Sequence, residues 1–183
     1  MGNKVKNINK LTIKKTPQVI FKDMGREMNC SFYPKGEALS EKIGKLSRFY
    51  DIWKNKFNDE GIPAWKDFSF EDFAGWHSNM RAMDIGGTIE DYKKNLIIGE
   101  EFAKYFGRKT FHELIISGTP MKQSTKDEYN KYLEFICDHQ YCITVGSIPD
   151  KRGISQKFTW IDLPLLDNGD TVSHIITAIE YHK

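Results

Sequence analysis

KFTWIDLPLLDNGDTVSHIITAIEY, residues Lys157 to Tyr181, consists of two runs of β-branched and aromatic residues around Asn168-Gly169. Asn-Gly accepts positive φ at both central positions of a type I′ turn, so the stretch predicts a two-residue β-hairpin. With Asp167 opposite Asp170, Leu165 pairs with Val172, Leu163 with His174, Ile161 with Ile176 and Thr159 with Ala178. The other face then carries Phe158, Trp160, Asp162, Ile175, Thr177 and Ile179. Both faces are largely apolar, which predicts interior strands of a sheet covered on each side.

Working outward, Tyr141 to Ile148 reads as another strand, as do Met80 to Ile85 and Tyr92 to Ile98. Between them Gly99 opens a short helix whose Phe102, Tyr105 and Phe106 face inward and which stops at Gly107. Thr110 to Glu113 has capping-box spacing for a second helix, and Thr125 to Glu128 repeats it before a stripe of Tyr129, Tyr132, Leu133 and Ile136. Ser69 and Asp72 have the same spacing before Phe73. Further back, Ile43, Leu46, Tyr50, Trp53 and Phe57 alternate at spacings of three and four, predicting a helix of about five turns from Ser40 until Gly61 and Pro63 end it. The expected fold is α+β: a five-stranded antiparallel sheet with short helices on one face and a long N-terminal helix on the other.

The 183 residues, 39% hydrophobic and 13% aromatic, suit one well-filled core. Charge is unevenly placed. Residues 1–38 hold eight Lys/Arg and three Asp/Glu, a balance of +5, whereas residues 39–183 hold nineteen and twenty-two, a balance of −3. Residues 1–38 show no sustained periodicity beyond a short strand at Gln18 to Phe21 and a turn at Tyr33-Pro34-Lys35-Gly36. They are expected to be a basic, flexible extension dispensable for folding, and residues 39–183 the domain. The near-neutral total gives no case for nucleic acid. Three cysteines without paired spacing, and no apolar run near 18 residues, predict a cytoplasmic protein away from membranes.

The order helix, two strands, short helices, three strands resembles a PAS domain, in particular the bacterial group in which a long N-terminal helix precedes Gly61-Ile62-Pro63-Ala64-Trp65-Lys66-Asp67-Phe68. The resemblance continues in Met83-Asp84-Ile85, Leu96-Ile97-Ile98-Gly99, Phe106-Gly107-Arg108-Lys109 and Leu163-Pro164-Leu165-Leu166-Asp167-Asn168-Gly169, and covers residues 40–181. Leu96 stands where that group usually has an arginine, and Glu100 where it has a threonine. The resemblance implies a sensory or regulatory module of unknown cofactor that binds a small molecule or a partner protein. It would signal through its N-terminal helix, as a homodimer or to a separate effector. The implied site lies between Phe158, Trp160, Asp162, Ile175, Thr177 and Ile179 on the hairpin and Phe102, Phe106 and Tyr132 on the helices. The opposite hairpin face should meet Ile43, Leu46, Tyr50 and Trp53.

Asp162 is the informative residue, because a carboxylate in an apolar strand face is costly unless paired. A small enzyme using Asp162 with His112 or His174 as an acid–base pair is a rival reading, and an interaction module whose pocket is filled by its own aromatics is another. His112-Glu113 begins like a zinc-protease helix but lacks the second histidine. Cys137, His139 and Cys142 are three soft donors without a fourth. No catalytic or metal-binding residue is assigned.

Overall fold

The computed structural model describes residues 16–23, 25–35, 43–57, 61–150, 152–167 and 169–182. Strands β1 (Gln18–Asp23) and β2 (Arg26–Tyr33) lead to helix α1 (Leu46–Lys54), then β3 (Met80–Asp84) and β4 (Lys94–Ile98). Helices α2 (Glu100–Phe106), α3 (Phe111–Ile116) and α4 (Gln123–Cys137) follow, and β5 (Tyr141–Pro149), β6 (Ser155–Leu166) and β7 (Val172–His182) close the chain. All seven strands join one antiparallel sheet in the order β1-β2-β5-β6-β7-β3-β4. The α+β class is as expected, but the sheet has seven strands rather than five.

The two additional strands come from the segment read as a flexible extension. Gly25, at φ 73°, turns β1 into β2, a conformation that glycine adopts without steric cost. Val19 then pairs with Cys30 and Phe21 with Met28, while β2 continues the sheet through Cys30 opposite Thr144 and Phe32 opposite Cys142. Val19, Phe21, Cys30 and Phe32 are buried. The period-2 pattern Met28, Cys30, Phe32 thus marks a half-buried strand rather than a solvated arm.

The β6–β7 hairpin forms with its register displaced by two residues: Leu163 lies opposite Ile176, Ile161 opposite Ala178 and Asp162 opposite Thr177. The register also shifts between Leu165 and Leu166, and the Asp167 N–H reaches across to the Thr171 carbonyl, so the connection is wider than a two-residue turn. Asn168, the first turn residue expected, lies outside the described residues. Because side chains alternate with period 2, a displacement of two leaves every residue on its predicted face.

On the outer face, α1 buries Leu46, Phe49, Tyr50 and Trp53. The Trp53 indole donates to the Pro164 carbonyl at 2.9 Å and its ring meets Tyr141 edge-on at 6.2 Å. The α-helix here has nine residues rather than five turns, and Ser40, its expected start, lies outside the described residues.

The short helices cover the inner face. Gly99 precedes α2 because a Cβ there would lie 2.3 Å from the carbonyl oxygens of His77 and Ser78. The predicted box at α3 forms, with the Thr110 N–H donating to Glu113 at 2.6 Å and the Glu113 N–H to Thr110 Oγ1 at 3.0 Å. Helix α4 begins at Gln123, two residues before its expected cap, so Thr125 lies inside it. The buried Lys93 ammonium donates to the carbonyls of Ile85 at 2.6 Å, Asp91 at 2.7 Å and Thr88, which closes the β3–β4 connection.

Candidate functional site

A cavity of about 90 Å³ lies between the inner sheet face and helices α2, α3 and α4. Its floor is Met28 and Cys30 of β2, Trp160 of β6, and Arg81 and Met83 of β3. Phe106, Phe111, Leu114, Tyr129 and Tyr132 close it from the helices, and Phe21 and Arg26 close the β1–β2 end. Lys109, exposed between α2 and α3, marks the mouth.

Beside the floor, on the same sheet face, is a lateral row of polar residues made by strand pairing. Asp162 stands opposite Thr177, and Thr177 opposite Arg81. The Thr177 hydroxyl donates to Asp162 Oδ1 at 2.6 Å and accepts from Arg81 Nη2 at 3.4 Å. The guanidinium lies 3.8 Å from the same Oδ1 and 4.8 Å from the centre of the Phe102 ring. Asp162 is fully buried, and this desolvation raises its carboxyl pKa above the ordinary range. Arg81 opposes the rise, as do the side chains of Thr177, Tyr132 and Trp160, yet Oδ2 meets no donor in hydrogen-bond geometry. The Trp160 indole N–H, the Tyr129 hydroxyl and Arg81 Nε are also buried without a partner.

The raised pKa fixes the sign of a pH effect. A carboxyl that holds its proton more tightly when folded contributes stability below its unfolded value and loses it as pH rises through the folded value. The stability of the parent relative to Asp162→Asn, which does not titrate, is therefore expected to fall as pH rises from about 4. Urea midpoints across a pH series measure it; a parent that instead gains on the variant over that range would mean that pairing with Arg81 outweighs desolvation.

Of the nine residues expected to form the site, Phe106, Tyr132 and Trp160 line the cavity. Asp162 and Thr177 stand beside it on the same sheet face, joined to it through Arg81. Phe102, Phe158 and Ile179 belong instead to a small apolar cluster with Trp160 and Ile148, and Ile175 to the main core. Sequence reasoning missed Phe21, Arg26, Met28 and Cys30, which come with the unread β1–β2 hairpin. It also missed Arg81, although its place one residue after the buried Met80 in an alternating strand puts it on the opposite face from Met80.

The Asp–His pair does not assemble. Asp162 hydrogen-bonds Thr177 and no histidine, while His112 meets the Tyr92 ring edge-on at 5.7 Å and His174 stacks on Trp65 at 5.4 Å. The Cys137, His139 and Cys142 side chains also take separate surroundings: Cys142 is buried beside Thr144, whereas His139 meets the Asp170 carbonyl. Among the described residues no three His, Cys, Asp or Glu side chains converge as metal ligands, and no helix is long and apolar enough to cross a membrane. No protein-family model, curated protein or solved structure matches the chain.

Proposed function

We propose that this chain is a sensory or regulatory module of the PAS type, without catalytic activity, that binds a small molecule in the cavity and signals through α1. The carrying observation is the cavity itself, walled by aromatic side chains and edged by buried polar atoms without partners; its volume suits a ligand smaller than a benzene ring. The layering supports the same reading. The five strands expected for such a module are contiguous as β4-β3-β7-β6-β5, with α2 to α4 on one face and α1 on the other.

Strand β6 links the two faces, with Trp160 in the cavity wall and the Pro164 carbonyl bound to Trp53 of α1. A ligand shifts α1 only as far as it binds one arrangement of β6 better than another. The apolar stripe of α1 is spent within the chain, so a homodimer or effector would use its outer side, which bears Arg48, Asp51 and Ile52. The three free cysteines suit a reducing cytoplasm.

Native mass spectrometry of gently purified protein, paired with a thermal-shift screen of metabolites, tests the proposal. A hit at a hundred times its dissociation constant is expected to add about 2.7 kcal/mol, and Trp160→Ala to abolish the gain. If no ligand is retained and no metabolite stabilises the chain, the interaction-module reading takes its place.

A further inference from the structure

We infer, resting on the sensory reading of the same cavity, that its ligand is a small neutral amide or urea of about four heavy atoms. Volume is the first ground. A cavity of about 150 Å³ takes benzene with its six heavy atoms, so about 90 Å³ takes about four in proportion. The walls of Phe21, Met28, Phe111 and Leu114 are apolar and leave polar recognition to the floor.

Hydrogen-bonding demand is the second, independent ground, and it has both signs. Arg81 Nε and Trp160 Nε1, both in the lining, are buried donors without an acceptor. Asp162 Oδ2, at the edge of the same floor beside Trp160, is a buried acceptor without a donor, and the Tyr129 hydroxyl in the helix wall can serve either role. A ketone or a carboxylate would answer only the donors, and an ammonium only the acceptor. A primary amide or urea carries a carbonyl and N–H groups on separate atoms and answers both. Charge points the same way. Arg81 and the ionised Asp162 lie 3.8 Å apart and offset each other in the floor, so a charged ligand would enter as an ion without a counter-charge there.

Titration of the full chain with acetamide, acetone and acetate, followed by NMR of the tryptophan indole N–H signals, tests the inference, since the three probes share one size and differ in donors and charge. Trp160→Phe identifies the Trp160 signal among the four tryptophans, and those of Trp53, Trp65 and Trp76 report bulk solvent effects. Molecules of this size bind no tighter than about 40 µM, so the series runs into the millimolar range. Acetamide is expected to shift the Trp160 signal saturably and to bind about tenfold tighter than acetone or acetate. In Asp162→Asn, whose side-chain amide donates where Oδ2 accepts, acetamide and acetone are expected to bind within about twofold of each other. A preference kept in full there would overturn the part given to Oδ2, and if that variant fails to fold, the ranking on the parent decides alone. Acetone or acetate binding as tightly as acetamide would overturn the ligand class and leave the cavity as a small-molecule site. No saturable shift with any of the three overturns the inference too, and native mass spectrometry then decides separately whether the cavity holds another ligand.

Discussion

Removal of residues 1–33 is expected to abolish the cooperative unfolding transition rather than leave it untouched. Val19, Phe21 and Phe32 are buried in the main core, and Phe32 packs against Tyr132 at 5.8 Å and Phe135 at 4.7 Å. Burying three such side chains is worth about 5–9 kcal/mol, comparable with the whole stability of a typical domain. The deletion would also strip α4 of the strands beneath it and leave β5 as an unpaired edge, a setting that favours association. Urea unfolding followed by circular dichroism measures the effect, and a companion lacking only residues 1–15 separates the hairpin from the segment before it. An unchanged midpoint after loss of residues 1–33 would mean that the hairpin does not dock.

The second large effect is expected at Trp53. Truncation to Ala removes a fully buried indole from between α1 and the sheet, at a cost of about 3–5 kcal/mol. Trp53→Phe keeps a ring but leaves the Pro164 carbonyl without its donor, and should cost about 1–3 kcal/mol. Denaturant midpoints of the two variants resolve the packing and hydrogen-bonding parts. Equal losses would mean that the ring's own contacts contribute little.

The hairpin faces were legible because alternation survives any even displacement; the register was not, because it depended on a turn whose width is set by the irregularity beside Leu166. The α1 stripe was legible at Ile43, Leu46, Tyr50 and Trp53, all buried, although Phe49 widens it. The β1–β2 hairpin was hidden by polar residues interleaved on its outer side, Lys22, Glu27 and Asn29 among them, which give the segment the composition of a solvated arm. Aromatic walls from α2, α4 and β6 could be anticipated from periodicity. The cations could not, because Arg26, Arg81 and Lys109 are brought together only by sheet order, which a linear pattern does not encode.

The alternation along β6 has a consequence for how this chain can change over time. Trp160 and Asp162 serve the cavity side, while Ile161 and Leu163 serve the α1 side, one residue apart. A single inserted or deleted residue would exchange the two sets, sending a carboxyl under α1 and a branched aliphatic chain against Arg81. Length within this strand is therefore fixed from both sides at once, and lineages descending from this sequence can gain or lose residues cheaply only outside it, as at the exposed turn before Ser155.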